Sequence, residues 1–385
     1  MTFLLLRARA AWPQCGHIEA NVTTGPPQWA HTAIDDTRSE GEGDWNRGSS
    51  IRGESRERRR GDHYSNSRSA VERRGCNSTV VNNGSSSDCL RAGTADSLLT
   101  AMAPDLDAVS KVDLAAKTRA LAAWLRANAP VAIGYSGGVD SAYLAVTARQ
   151  TLGADGALAI IGRSASYPAE QWQTARDVAQ RFDVAVLELD TAELDDPRYA
   201  ANPSNRCYYC KTELWSRLVP VAYSCGFPTV VDGTNADDLS DYRPGAQAAR
   251  EHRVASPLAE LGFTKLHIRH ASRALGIPTW QQPSSPCLSS RLPYGTEVTR
   301  GRLRQIELAE AALRKLGIAG DLRVRFHEEL ARVELAPTEL SAWLDPERMA
   351  VLTEAVSQAG FTRVALDLRG FRSGSLNVLH GVSIA

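Results

Sequence analysis

Val131-Ala132-Ile133-Gly134-Tyr135-Ser136-Gly137-Gly138-Val139-Asp140-Ser141 is the stretch from which the rest of the chain can be read. It opens with a short apolar and aromatic run, the pattern of a parallel strand buried on both faces. A hydroxyl, two glycines, an acid and a second hydroxyl follow, and then Ala142 to Arg149 reads as a helix. Strand, glycine loop and helix together turn backbone N–H groups and a helix N-terminus toward a phosphate. Gly137 and Gly138 let the backbone approach closely and take angles that a side chain forbids. Ser136 and Ser141 can donate hydrogen bonds to phosphate oxygens, and Asp140 can hold Mg²⁺ or order the loop.

The loop lacks the lysine and the spacing of G-x-x-x-x-G-K-[ST], and it is not the G-x-G-x-x-G of dinucleotide binders. It is similar to the SGGxDS signature of the ATP pyrophosphatases, or PP-loop enzymes. That resemblance implies cleavage of ATP to AMP and pyrophosphate, with the AMP used to activate a substrate. A tight strand-to-helix turn without a ligand is the simpler alternative. The full motif, placed directly after a strand, favours the nucleotide.

The chain has 385 residues, enough for two or three domains, and equal numbers (44 each) of Lys+Arg and Asp+Glu. This balance does not favour a nucleic-acid partner. No apolar run is long enough to span a bilayer, and Phe3-Leu4-Leu5-Leu6 is too short for a signal-peptide core. A cytoplasmic protein without a membrane partner is expected. Residues 1–105 differ from the rest. Gly41 to Gly61 and Ser65 to Asp88 are rich in Gly, Ser, Asn, Arg and Glu and poor in large apolar residues. Such composition buries too little surface to offset chain entropy, so a disordered tail is expected, or a start placed too early, with Met102 just ahead of a sensible domain start. Cys15, Cys76 and Cys89 therefore receive no role.

Residues 106–295 are expected to form an α/β domain. Asp113 to Asn128 has the spacing of an amphipathic helix. Ala157–Gly162, Val184–Leu189 and Thr229–Gly233 read as further strands, with Pro168–Phe182 helical. Alternation of this kind predicts a doubly wound parallel sheet, of the PP-loop ATP pyrophosphatase or adenine nucleotide alpha hydrolase-like type. Ligands then sit at the carboxyl ends of the strands. The segment from Gly162 to Tyr167, with Ser164, should lie near the adenine, and Gly233, Thr234 and Asn235 near the sugar or α-phosphate.

Asn202-Pro203-Ser204-Asn205-Arg206-Cys207-Tyr208-Tyr209-Cys210-Lys211 carries a C-x-x-C between two cations, ahead of helical residues. A helix N-terminus, Arg206 and Lys211 should all favour thiolates there. Ser284-Ser285-Pro286-Cys287-Leu288-Ser289-Ser290-Arg291 supplies a third cysteine beside an arginine. A zinc site wants a fourth ligand, a redox dithiol leaves Cys287 idle, and three thiolates can hold a [4Fe–4S] cluster with one iron open. Plain packing at a helix start is the fourth reading.

From about Leu114 onward the chain resembles the LarE family, ATP-dependent sulfur transferases of nickel-pincer nucleotide cofactor synthesis. The resemblance rests on SGGVDS (136–141), NPSNRCYYCK (202–211), GTNADDLSDYRPG (233–245), SPLAELGFTK (256–265), PCLSSRLPYG (286–295), RVRFHEELARVEL (323–335) and LDLRGFRSGSLN (366–377). It implies adenylation of the carboxylates of pyridinium-3,5-biscarboxylic acid mononucleotide by ATP with Mg²⁺, then conversion to thiocarboxylates. It further implies Cys287, Cys207 and Cys210 as the catalytic cysteines. In one branch the cysteine at the position of Cys287 gives up its own sulfur; in the other, three cysteines hold a [4Fe–4S] cluster that carries the sulfide. A sacrificial enzyme has no use for the C-x-x-C, so the cluster is expected, with a sulfide donor as partner. Arg206, Lys211, Arg291, Arg323 and Arg325 are the expected contacts to the substrate's phosphate and carboxylates. Without the family match, Arg323 and Arg325 would equally suit a charged solvent face. Glu334 is expected as a metal ligand, with Mg²⁺, or as a pairing carboxylate.

Residues 296–385 predict a helix at Thr299–Leu316, strands at Leu322–Phe326 and Ala331–Leu335, a helix near Pro346–Ala359 and a strand at Arg363–Leu368. This small α+β domain is expected to supply substrate contacts and homo-oligomer interfaces. Two other functions fit parts of the pattern: a tRNA thiolase, which also joins a PP-loop to three cysteines, and a non-catalytic nucleotide-binding module with structural zinc. An amidating synthetase lacks a visible glutaminase cysteine motif.

Overall fold

A computed structural model describes residues 111–239 and 243–372. The expectations for residues 1–105, including those for Cys15, Cys76, Cys89 and Met102, lie outside them. The elements run α1 (Lys111–Ala127), β1 (Val131–Gly134), α2 (Val139–Leu152), β2 (Ala157–Arg163), α3 (Ala169–Arg181), β3 (Ala185–Asp190), α4 (Arg206–Ser224), β4 (Thr229–Val231), α5 (Pro244–Glu251), α6 (Lys265–Ala274), α7 (Arg300–Lys315), β5 (Leu322–His327), β6 (Leu330–Leu335), α8 (Pro346–Ser357) and β7 (Arg363–Leu366), with shorter helical turns between. No helix among them is long and apolar enough to cross a membrane.

The first sheet has the order β3-β2-β1-β4 and is parallel throughout, with Val131 opposite Ala157 on one side and Thr229 on the other. The pleat sorts its residues between two cores. Val131, Ile133, Ala157, Ala159 and Ile161 pack with Leu121, Leu125, Tyr143 and Val146 of α1 and α2. Ala132, Leu158 and Ile160 face the other way, onto Trp215, Leu218 and Ala222 of α4. Covering both faces explains the unbroken apolar runs of these strands. Each Leu, Ile or Val so buried contributes about 1.5–3 kcal/mol. Because the chain leaves β1 toward β2 on one side and reaches β4 on the other, the loop after β1 lies at the point where strand order reverses.

The second sheet, β5-β6-β7, pairs β5 with β6 antiparallel and β6 with β7 parallel. Leu303, Ile306 and Leu313 of α7 close over it, together with Leu352 and Val356 of α8. The same core takes in Leu288 and Leu292, so the segment around Cys287 is anchored in it. Asp345 caps α8 by accepting from the N–H groups of Glu347 and Arg348, with Pro346 starting the helix.

The elements follow the sequence reading with shifted ends. β1 stops at Gly134, and α2 starts at Val139 rather than Ala142, because the Ala142 N–H already bonds the Gly138 carbonyl at 2.9 Å. Asp140 and Ser141 thus stand in the first helical turn, where backbone N–H groups lack intrahelical partners. α5 and α6 had no counterpart in the sequence reading.

Gly137 has φ +68, and a Cβ there would come within 2.5 Å of the Ala175 Cβ. Gly276 has nearly the same φ, +69, with no atom within 4 Å. Gly276→Ala should therefore cost about 1–2 kcal/mol, the left-handed penalty alone. Gly137→Ala should cost at least about 1 kcal/mol more, because α3 must shift. Equal losses of Tm for the two variants would show that Ala175 does not constrain the loop.

Candidate functional site

Neighbouring side chains hold the loop from Tyr135 to Gly138 from outside. The Tyr135 hydroxyl donates to the Ala175 carbonyl at 2.9 Å. The Ser136 carbonyl accepts from the Tyr167 hydroxyl at 2.9 Å and from Gln171 Nε2 at 3.1 Å. Within the loop, Ser136 and Ser141 join their hydroxyls at 3.2 Å, and the Ser141 hydroxyl lies 3.3 Å from the Ser136 N–H. Gly233 closes the other side; a Cβ there would meet the Ser141 backbone N at 2.9 Å. Ser136, Gly137, Gly138, Ser141 and Gly233 are thus brought together as one cradle.

Thr234 and Asn235 follow from β4. Thr234 bonds Asp232 through both its N–H (3.1 Å) and its hydroxyl (2.9 Å). Asn235 donates to Asp140 Oδ1 at 3.3 Å. The other oxygen of Asp140 pairs with the Lys265 ammonium. Asp140 is a carboxylate at the mouth of a phosphate-sized cradle, which fits a Mg²⁺ held between protein and phosphates. Ser164, after β2, shares a hydrogen bond with Ser166 at 2.9 Å, and Ser166 donates to the buried Glu193 at 2.9 Å.

The two cysteine segments meet although about 80 residues separate them. Asn202, buried and in a left-handed conformation (φ 55), donates to the carbonyls of Pro293 (2.7 Å) and Thr296 (2.8 Å). The Tyr199 hydroxyl meets the Ser289 hydroxyl at 2.6 Å. Cys207 and Cys210 sit in the first turns of α4, and both are close enough to Cys287 to feel its charge. Cys207 is exposed, and Cys210 and Cys287 are half-buried. Among the described residues these sulfurs do not close into a single-ion site. A cluster of several irons does not need them to, and three cysteines flanked by Arg206 and Lys211 are a donor set that fits one.

Desolvation and like charge work against the expected thiolates. Desolvation and then the neighbouring Cys287 raise the Cys207 thiol, against the smaller pull of Arg206 and Lys211. Desolvation, Glu193 and Cys287 raise Cys210 well above the ordinary value. A helix N-terminus and two cations do not outweigh lost hydration and a crowd of like charges.

The arginines depart further from expectation. Arg206, Arg291, Arg323 and Arg325 are all buried. Arg323 and Arg325 are therefore not on a solvent face, and among the partners of these four arginines are the carbonyls of one segment. Arg323 donates to Ser284, Arg291 to Pro286 (2.6 Å) and Cys287 (3.1 Å), Arg206 to Ser289 (2.9 Å), and Arg325 to Ser290 (2.9 Å). Behind them stand carboxylates. Arg291 grips Glu310 with two bonds of 2.9 Å, and Arg325 reaches Glu334 with bonds of 3.0 and 2.9 Å. Glu334 also pairs with Arg332 at 2.8 Å, and a carboxylate so enclosed by guanidinium groups does not fit a cation. Its role is pairing. Lys211 alone of the expected anion contacts is exposed. Burial opposes ionisation of Glu310, but Arg291 and the Val324 N–H hold it below the usual carboxylate range. Burial and the charge of Arg291 push Arg323 down to about 10.

Two tethers join the cradle to the cysteine segment. Gln171, which bonds the Ser136 carbonyl, accepts from Gln282 at 2.8 Å. The Leu288 N–H donates to the Ser166 carbonyl at 2.8 Å. Lys265, Glu193, Gln171 and Glu310 are residues that the sequence reading missed. Glu310 had left a signal, an acid four residues after Ile306 and three before Leu313 on the apolar stripe of α7. Lys265 closed a run that had served only for the resemblance.

A family model described as NAD synthase matches residues 123–205. A pyridinium-3,5-bisthiocarboxylic acid mononucleotide synthase of Lactiplantibacillus plantarum is 35% identical over 268 residues, covering 69% of this chain and 95% of its own. An uncharacterised protein of Synechocystis is 45% identical over 64% of this chain and 91% of its own. A second uncharacterised protein, from Methanocaldococcus jannaschii, is 28% identical over 64% of this chain and 92% of its own.

Two outcomes are expected for metal-free protein treated with iodoacetamide. Since raised thiols stay protonated at neutral pH, Cys207 should alkylate with an apparent pKa above the ordinary cysteine value of about 8.5; a midpoint below it would contradict the desolvated environment. Glu310→Gln, which leaves Arg291 buried without its charge partner, should destabilise by about 3–5 kcal/mol. It should also speed alkylation of Cys287, read by peptide mass, and an unchanged rate would show that the segment does not depend on that pair.

Proposed function

The chain belongs to the LarE family of ATP-using PP-loop enzymes, and on that premise we propose that it converts the carboxylates of pyridinium-3,5-biscarboxylic acid mononucleotide to thiocarboxylates for a nickel-pincer cofactor. The observation that carries this reading is the tie, through Gln171 and Ser166, between the phosphate cradle and the segment that bears Cys287.

In this reading Ser136, Gly137, Gly138 and Ser141 hold the phosphates of ATP, while Ser164, Gly233, Thr234 and Asn235 line the nucleoside side. Asp140 would hold Mg²⁺, which spreads the charge of the phosphates. A substrate carboxylate oxygen attacks the α-phosphorus, and the bond to the β-phosphate oxygen breaks with its electron pair leaving on pyrophosphate. A sulfur nucleophile then attacks the acyl carbon, and AMP departs with the C–O electron pair. Adenylation is needed because a free carboxylate has no adequate leaving group. Cys207, Cys210 and Cys287 would hold a [4Fe–4S] cluster, which would supply the transferred sulfur. Lys211, exposed one turn from Cys207, and Arg323, a buried cation that gains from an anionic partner, bind the substrate's phosphate and carboxylates. Arg206, Arg291 and Arg325 keep the Cys287 segment in place.

The test uses protein purified without oxygen, assayed for iron and acid-labile sulfide, then given ATP, Mg²⁺ and the mononucleotide. About four irons per chain, AMP formation and an unchanged polypeptide mass are expected. Cys207→Ala and Cys210→Ala should abolish sulfur transfer. Transfer retained by both, with a mass loss at Cys287, would mean that Cys287 gives up its own sulfur. No AMP with this substrate, and salt-sensitive binding of tRNA instead, would favour the tRNA thiolase.

A further inference from the structure

Beside the nucleotide cradle stands a buried carboxylate that the reaction just described does not use. Glu193 follows β3, is 2% exposed, and has hydroxyls as its hydrogen-bond partners. Ser166 donates to its Oε1 at 2.9 Å and Thr191 to its Oε2 at 2.8 Å. A carboxylate can only accept, so the single hydroxyl proton of Ser166 is committed to Glu193. Ser166 and Ser164 nevertheless share a hydrogen bond of 2.9 Å between their hydroxyls. With the Ser166 proton already engaged, Ser164 must be the donor in that bond.

Ser164 is thereby left as an acceptor toward anything else it meets. A hydroxyl oxygen has two lone pairs; the Ser166 N–H takes one, at 3.2 Å, and the other has no donor among the described residues. The side chain is half-buried, so a ligand can reach it. Ser164 stands at the carboxyl end of β2, next to the strand that carries the phosphate loop. Tyr167, in the same segment, donates to the Ser136 carbonyl at 2.9 Å and so brings the segment against that loop. A nucleotide with its phosphates in the cradle after β1 lays its base over the carboxyl end of a neighbouring strand. Position 6 of a purine carries the group that tells the bases apart: an amino donor in adenine, a carbonyl acceptor in guanine.

We propose that Ser164 selects ATP by accepting a hydrogen bond from the adenine 6-amino group, with Glu193 as the positioning residue that keeps Ser164 an acceptor. A 6-oxo purine sets its carbonyl oxygen against the Ser164 lone pair and finds no donor there. Glu193 and Ser166 are both buried, so solvent offers these groups no other partner and the direction of the chain is kept. The Ser166 backbone is fixed as well, since its carbonyl accepts from the Leu288 N–H at 2.8 Å. This role of Ser164 rests on the nucleotide part of the proposed function and on no assumption about the sulfur source.

Titration calorimetry of the full chain with Mg²⁺ and ATP, inosine triphosphate or purine riboside triphosphate tests it; the last has no group at position 6. The parent should bind ATP about tenfold more tightly than purine riboside triphosphate, and inosine triphosphate most weakly. Ser164→Ala should bring ATP down to the level of purine riboside triphosphate. The affinity for the latter should stay within about twofold, which reports that the cradle is intact. Glu193→Gln can donate to Ser166 through its amide and lets the chain run the other way. It should raise the affinity for inosine triphosphate by about fivefold or more, again with purine riboside triphosphate within about twofold. A preference for ATP over purine riboside triphosphate that survives Ser164→Ala would overturn the proposal. All three nucleotides weakened equally by Glu193→Gln would make Glu193 a structural support and overturn its positioning role. A parent chain that binds all three equally would overturn the proposal alone, whereas one that binds none would remove the nucleotide reading itself.

Discussion

A buried guanidinium is tolerable only where its N–H groups find oxygens and its charge finds a carboxylate. Four of them converge on the carbonyls of residues 284–290, and this constraint shapes the region around Cys287. The segment has little regular structure, only a short helical turn at Leu288–Arg291, so its carbonyls need partners from elsewhere. The arginines come from β5, α4 and the segment itself; Glu310 and Glu334, on α7 and β6, neutralise two of them. Breaking any one member leaves a buried charge or carbonyl unmatched. The cysteine is positioned by this network together with the apolar anchors Leu288 and Leu292.

The network also explains how one protein can link two chemistries. The phosphate cradle depends on the first sheet, and the Cys287 segment is packed into the core of the second. Gln171, reaching both Ser136 and Gln282, and the Leu288-to-Ser166 bond tie them together. The phosphate cradle is thereby tied to the segment that bears Cys287. Asn202, strained into the left-handed region, completes the clasp by reaching Pro293 and Thr296.

Periodicity alone was enough to read much of the fold. The strands β1, β2, β3 and β4 are short apolar runs that only a sheet covered on both faces can bury, and the amphipathic stripe of α7 carries its own phase. The loop from Ser136 to Ser141 was legible because two glycines between hydroxyls and an acid, placed between strand and helix, have few other uses; the structure then sets Gly137 at φ +68 against Ala175. Short elements such as α5 escaped because a few polar turns bounded by proline carry no distinctive period. Strand ends moved by one or two residues and the start of α2 by three, since a terminal hydrogen bond such as that of Ala142 is decided by the turn that precedes it.

Residue chemistry was legible from sequence, and residue partnership was not. Cys207, Cys210 and Cys287 pointed toward a sulfur or metal site, and Asp140 toward a phosphate or Mg²⁺ role by its place in the loop. Yet Arg323 and Arg325, alternating with apolar residues, suited a solvent face and a substrate cradle equally, and both are buried with hydrogen bonds to a distant segment. Thiolates looked favoured beside two cations, and desolvation and neighbouring charge around Cys210 oppose them. What the sequence by itself determined was the doubly wound sheet, the phosphate loop and the inventory of thiols and charges, because these follow from local pattern and side-chain type. Only the tertiary structure decided which charge faces which oxygen, how dry each thiol is, and that Lys265 meets Asp140. Those energies depend on distance and local dielectric, which contacts between remote parts of the chain create.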